Sequence, residues 1–587
     1  MNAIWLIIVT FLGYILAYYT YGRFLARKIF RLSDANRMPS DEFYDGVDFV
    51  PTKKNIVFGH HFTTIAGLGP IVGPAIGVIW GWLPALIWVF FGSIFMGAVH
   101  DFSTLIISAR NSGKSIGDLT EGIIGPGARY ALQLIMQLLL FIVLSVFSLI
   151  VATLFMLYPE SVIPIWLQIP IAMWLGRQIE KGRSDLLYSI IALILLYASI
   201  LLGIYFPVDL RALSIIQNLG TIGMNVNNVI TVIWCMALFV YVFFASTIPV
   251  HRLLQPRDYV NSHQLFVALS LLVLGTFIAH PVITAPVINS KAFAPESDVP
   301  SMMPIMFIII ACGAISGFHS IASSGTTVKQ VKKEKDTLFI GYGGMLTESF
   351  LAVLVIVAVA AGLGIGFEQN GINYTGRDAF YHYYSSWSAT NNSGIGAKLE
   401  SFIRGGANLF GYLGIPYNIG RTMIAVFIVS FANTTLDSAT RIQRLSLQEL
   451  FRSKKTQKIK KPFNNRYVAT LAVVLFAAVM TFLKPGGKGA LILWPLFGSL
   501  NQLLAALGLA VVSIYLYKKK NSYLLAFIPM LFVLAMTLWS MFENLRDFLI
   551  TKDYLLSGIS LIILILALWL LIAGFLSVIR KFKVKAN

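Results

Sequence analysis

Four ionisable residues, His61, Asp101, His319 and Glu348, stand in apolar stretches of the chain. Charge is expensive in hydrocarbon, so carboxyl and imidazole groups there point to proton movement or substrate binding rather than to surface solvation. Glu348 is the sharpest case. It follows Gly343-Gly344-Met345-Leu346-Thr347, precedes an apolar run, and has Asp336 as its nearest charged neighbour in sequence. At about 1.5 Å per residue, it lies about 12 Å into its helix and His61 about 10 Å into its own. Asp101, beside His100, keeps two readings: a proton site, or a helix-end partner for Arg110. For Asp437 the expected role is a helix-end pair with Arg441.

A second set of residues breaks the backbone rules of a membrane. The run from Gly59 to Pro74, GHHFTTIAGLGPIVGP, packs Gly67, Gly69, Pro70, Gly73 and Pro74 into eight residues. The prolines lack the N–H that a helix turn needs, and the glycines let the backbone unwind or be approached closely. An interrupted helix presents a half-helix N-terminus able to attract an anion. Gly67, Gly69, Pro70 and Gly73 are therefore the expected substrate-binding backbone, the alternative being a kink packed tightly by its glycines. A similar interruption runs from Gly313 to Thr327 and adds Ser323, Gly325 and Thr326 to the expected binding set. Both stretches carry G-x-H-x5-G, at Gly59/His61/Gly67 and Gly317/His319/Gly325, which a repeat or chance would produce. Weaker polar interruptions stand at Ser246-Thr247, Asn433-Thr434-Thr435 and Trp494 to Gln502.

The elements that must position these groups follow from composition. Of 587 residues, 57% are hydrophobic and 12% charged, about half the charged share of a soluble chain. Apolar runs near the spanning length recur about fifteen times, which predicts an all-α, polytopic membrane protein forming a single transmembrane domain. The expected spans are 3–22, 56–80, 82–108, 130–157, 161–176, 185–206, 226–249, 263–281, 303–321, 340–366, 408–436, 467–483, 489–517, 522–541 and 554–579. The first lacks a basic leader and a cleavage site, so it reads as a retained anchor. Lysines and arginines gather in alternate connections, including Arg23, Lys53, Lys329, Lys332, Lys454 and Lys518, with Lys484 and Lys488 as local exceptions. That bias places the N-terminus outside and the C-terminus inside. It also turns the net charge of +19 into a topology signal and a lipid contact, and removes a nucleic-acid partner. The spans holding the two interruptions then cross in opposite directions, as an inverted repeat would. The long polar stretch 367–407 is expected as an external cap or lid, and 452–466 as a basic cytoplasmic linker.

Some chemistry is missing. No Walker A sequence, GxSxG elbow, HExxH or CxxC occurs, so the expectation is a non-enzyme without cofactor or bound metal. Uphill movement of a solute would then need an ion gradient. Eight histidines leave a haem or metal redox protein as the alternative, with a nutrient sensor as a third reading. A visible spectrum and metal analysis separate the redox reading from transport.

Several long motifs resemble the carbon starvation protein A (CstA) family: GHHFTTIAGLGPIVGPAIG from Gly59, GAVHDF from Gly97, STIPVHRLLQPRDY from Ser246, SDVPSMMPIMFIIIACGAISGFHSIASSGTT from Ser297, IGYGGMLTES from Ile340, FANTTLDSATR from Phe431 and WPLFGSLNQLLAAL from Trp494. The resemblance implies an inner-membrane carrier of peptides or pyruvate, coupled to protons and used during nutrient limitation. It also implies a five-plus-five inverted-repeat core of the amino acid–polyamine–organocation type. Six spans between the interrupted pair, instead of four, imply extra helices around that core. His61, Asp101, His319 and Glu348 are the proton-coupling candidates this combined reading leaves.

Overall fold

The computed structural model describes residues 1–221, 224–387, 394–452 and 462–583. Its helices, in chain order, are α1 (Ile4–Ile29), α2 (Lys54–Ile65), α3 (Gly69–Gly77), α4 (Trp82–Ala109), α5 (Pro126–Leu157), α6 (Val162–Glu180), α7 (Asp185–Tyr205), α8 (Val226–Thr247) and α9 (Leu254–Ala279). There follow α10 (Met302–Ile309), α11 (Ala311–Ala314), α12 (Gly317–Gly325), α13 (Leu338–Ile365), α14 (Gly376–Tyr384), α15 (Gly394–Gly411), α16 (Tyr417–Leu450), α17 (Arg466–Phe482), α18 (Trp494–Lys518), α19 (Leu524–Ile550) and α20 (Tyr554–Lys583). Short turns of helix between them carry no label. Among the described residues, 11 helices are long and apolar enough to cross a membrane, and α2 with α3 makes a further apolar pair bent by 46°. The other expected spans fall on α6, on the broken run α10–α12 and on the 17-residue α17.

Local chemistry sets the helix starts. Side chains of Ser184, Asn225 and Asn465 accept from backbone N–H groups of the first turns of α7, α8 and α17, satisfying donors that a helix leaves orphaned. Gly81 joins α3 to α4 at φ +118°, where an added Cβ would lie 2.4 Å from the Val287 carbonyl. Only glycine suits that turn. Apolar side chains on α1, α7 and α20, such as Leu16, Ile194 and Phe575, face outward, whereas α5, α13, α16 and α18 are mostly buried. The first group supplies a lipid-facing shell and the second the core.

The stretch 367–407 adds one small hairpin to the helical chain. Strands β1 (Phe367–Gln369) and β2 (Ile372–Tyr374) pair antiparallel with Phe367 opposite Tyr374. Asn370 and Gly371 both take positive φ at their turn, the conformation a two-residue Asn-Gly hairpin demands. Helix α14 and most of α15 follow, so the described part of the stretch is built of regular elements. Its residues 388–393 lie outside the described residues, as does 453–461 of the basic linker. The expected eleventh span begins later, at Tyr417, because α15 is a separate helix packed beside α13 and α16.

At the N-terminal end of α2 the chain is locked. The Val50 and Thr52 N–H groups donate to the Lys329 and Gln330 carbonyls, each at 3.0 Å. Asp48 pairs with Arg441 at 2.7 Å and Arg444 at 3.1 Å. Burial alone would raise the Asp48 carboxyl, but the Arg444 and Arg441 guanidiniums hold it well below the usual carboxylate range. Asp48→Asn should loosen this closure. A cysteine placed at Thr327 should then react faster with an impermeant maleimide than in the otherwise unaltered protein; equal rates would show that the pairs do not hold the end shut.

Candidate functional site

Two interrupted helices meet in the core in antiparallel register. Helix α2 ends at Ala66, whose ψ of 49° leaves the helical range, and α3 starts at Gly69. In the other run, Ile310 breaks α10 from α11, and Ile315 and Ser316 are extended before α12. His61 meets Thr327, Gly69 meets Cys312, and Gly73 meets Ile309. These contacts bring the break at 66–68 level with that at 315–316.

The second break is held by α18. The Asn501 Oδ1 accepts from the Phe318 N–H at 2.9 Å and the Ser316 hydroxyl at 3.1 Å. Gln502 donates to the Phe307 carbonyl at 2.6 Å, serving the open end of α10. Backbone groups freed inside a membrane need such partners.

Beside the breaks runs a buried string of titratable side chains. His100 Nδ1 lies 2.9 Å from Asp101 Oδ1. Asp101 Oδ2 lies 2.8 Å from His319 Nδ1. His319 Nε2 faces Glu348 Oε2 at 3.4 Å. All four side chains are fully buried, and both Glu348 oxygens lack a hydrogen-bond partner. His61, with Nδ1 2.9 Å from the Thr327 hydroxyl, completes the group against Gly344 of α13. Among the described residues no lysine or arginine forms an ion pair with Asp101 or Glu348. A neutral imidazole has one N–H and one lone pair. With the His319 proton on Nδ1 toward Asp101, Nε2 can accept a proton from Glu348. With both nitrogens protonated, the ring faces two carboxylates. One ring can therefore pass a proton between α4 and α13.

A second buried cluster lies on the other side of α2. His60 Nδ1 is 2.5 Å from Asp258 Oδ2, and Asp258 Oδ1 is 3.3 Å from Arg257 Nη2. Arg257 Nη1 also donates to Asp437 and to the Tyr241 hydroxyl, and that hydroxyl donates to Asp437 at 2.6 Å. Thr64 and Ser438 share a hydroxyl contact of 3.1 Å just below the first break. Two carboxylates here face one guanidinium and one imidazole. With His60 protonated their charges cancel.

Most of the chain matches a family model described as carbon starvation protein CstA, over residues 2–540. The chain belongs to the CstA family. The protein named peptide transporter CstA in Bacillus subtilis (strain 168) is 30% identical, with 99% of this chain and 97% of that protein covered. Its namesake in Mycobacterium tuberculosis (strain ATCC 25618 / H37Rv) is 31% identical over 93% of this chain and 76% of the relative. The protein named pyruvate/proton symporter BtsT in Escherichia coli (strain K12) is 31% identical over 92% of this chain and 81% of its own. Among solved structures, MhsT in complex with L-phenylalanine is similar with a TM-score of 0.47 at 12% identity, covering 83% of this chain and 98% of that one.

In this CstA-family chain the four proton-coupling candidates converge, but the binding candidates separate. Gly67, Gly69, Pro70 and Gly73 stand at or just past the first break. Ser323, Gly325 and Thr326 lie at the far end of α12, away from the second break. The reason is that Gly317–Gly325 contains no proline and sustains a helix, while the extended pair Ile315–Ser316 is stabilised by Asn501. Gly69 and Gly73 are also closely packed: an added Cβ would lie 2.3 Å from Cys312 Sγ at the first and 2.5 Å from the Ile309 carbonyl at the second. G-x-H-x5-G precedes the break in one helix and follows it in the other, so the two copies do not correspond in chain order. The expected helix-end pairs are not formed either. Asp101 sits inside α4 with His100 and His319 while Arg110 pairs with Glu334 at 2.7 Å, and Asp437 takes Arg257 while Arg441 takes Asp48.

Sequence reading missed His100, His60, Asp258, Arg257 and Tyr241. His100 adjoined a candidate, and Arg257-Asp258 lay inside a quoted motif, so the signal existed. Gly69→Leu, on this packing, should lower the yield of folded protein rather than selectively block binding, since overpacking costs about 1–3 kcal/mol or more. Gly69→Ala should recover when Cys312→Gly makes room; a well-folded Gly69→Leu protein with wild-type melting would contradict the contact.

Proposed function

We propose that this CstA-family protein is a proton-coupled secondary carrier that imports a small carboxylate-bearing nutrient, a short peptide or pyruvate, across the inner membrane. The observation that carries the reading is the string His100–Asp101–His319–Glu348, which joins two carboxylates through one imidazole beside two level helix breaks. Buried acids without a lysine or arginine partner suit reversible protonation. The named functions of the Bacillus and Escherichia relatives agree with a transported carboxylate. In the proposed topology fifteen spans place the N-terminus outside and the C-terminus inside, α2–α3 and α10–α12 are the crossed pair of an inverted repeat, and 367–407 caps the external face. His61, Asp101, His319 and Glu348 carry the proton, and the substrate binds at the breaks, near Gly67, Gly69, Pro70 and Gly73.

Proteoliposomes test the reading directly. Radiolabelled pyruvate or dialanine should accumulate when a pH gradient is imposed and not when it is collapsed. Failure of both to enter would remove it. For topology, a tag near Asn391 should be reachable from outside in intact cells and one after Asn587 only after permeabilisation; the reverse pattern would invert the arrangement.

A further inference from the structure

Among the described residues, the buried cations nearly all face acids. Arg129 meets Asp118 at 2.7 Å, Arg257 meets Asp437, and Arg441 and Arg444 meet Asp48. Lys329 has Glu449, Asp48 and Asp45 around it. Lys398 differs. It is 1% exposed in α15, and among the described residues no acid offsets its burial.

The surroundings of Lys398 come from the cap. Its ammonium donates to the Tyr383 carbonyl at the end of α14 and sits 3.9 Å from the centre of the Tyr384 ring. The Tyr384 hydroxyl in turn bonds Ser401 at 3.0 Å and the Ala75 carbonyl of α3 at 2.7 Å. One carbonyl and one ring face offset only part of the cost of desolvating an ammonium. Burial accordingly draws this ammonium down to about 7. When protonated, Lys398 is thus without a counter-charge at the junction of the 367–407 stretch and the broken helix.

We propose that Lys398 is a docking point for the carboxylate of the incoming solute, reached when the Tyr384–Ala75 contact opens. This rests on the carrier reading and deepens it, because it assigns the group that recognises the negative end of the solute. The shared chemistry is a carboxylate, from a small keto acid or from the C-terminus of a short peptide.

The test uses the full chain in proteoliposomes, with pyruvate and dialanine as separate probes. Lys398→Met should raise the KM for the carried probe about tenfold or more, the loss expected for a charge-assisted pair, while Lys398→Arg stays nearer wild type. A second measurement needs no variant: dialanine or pyruvate should inhibit wild-type uptake at least tenfold better than its carboxamide. Wild-type uptake combined with an unchanged KM in a folded Lys398→Met protein, or equal inhibition by acid and amide, overturns this inference alone. Uptake of neither probe by the wild type overturns the carrier reading and this inference with it.

Discussion

Glu348→Gln should abolish pH-gradient-driven accumulation of the substrate while leaving exchange of labelled for unlabelled substrate measurable. The amide keeps the size of the protonated acid and can still donate toward His319 Nε2, 3.4 Å away in the wild type, but it cannot release a proton. A carrier loaded this way cycles only between proton-bound forms, so it equilibrates substrate without concentrating it. Asp101→Asn should act differently, because Asp101 fixes the rings of both His100 and His319. Loss of exchange as well as accumulation is expected there. Continued uphill uptake by Glu348→Gln under an imposed pH gradient would show that the proton travels by another route.

The second large effect is expected at Arg257. Its guanidinium answers Asp258 and Asp437 together, and all three side chains are fully buried. Arg257→Met would leave two carboxylates facing one imidazole, and stranding a buried charge in this way costs about 3–5 kcal/mol. The variant should be poorly expressed or melt well below wild type in detergent. Arg257→Met combined with Asp437→Asn should regain much of that loss, since the removed charges then balance. Arg257→Lys should not substitute fully, because one ammonium lacks the planar fork that reaches two carboxylates. A single variant with wild-type melting would remove the cluster from the forces that hold the bundle.

Much of this arrangement was readable in advance. Apolar run length located the helices, and five breakers in eight residues marked the first interruption. Burial of Glu348, His61, His319 and Asp101 followed from their apolar neighbours, and the structure gathers them. The partners were not readable. Asp437 finds Arg257 across 180 residues of sequence, whereas a reading along one helix sees only Arg441 nearby. The second break was located too broadly because its extended residues are Ile315 and Ser316, with the supporting group, Asn501, supplied by another helix. Nothing in the local sequence marks such a site. The Asn370-Gly371 turn was a local signal, overlooked inside a long polar loop.

The two sides of the seam between the broken helices are held by different forces, so they answer to different solvent conditions. On the α3 side, Gly69, Gly73 and Gly77 pack against Cys312, Ile309 and Ile310 by dispersion contacts alone at those points. On the α2 side, the backbone pairing of 50–52 with 329–330, the Asp48 ion pairs and the His61–Thr327 bond must all let go. Acid therefore loosens the α2 end, by protonating Asp48, whose carboxyl the two guanidiniums hold well below its ordinary range, while it leaves the apolar contacts of the α3 glycines untouched.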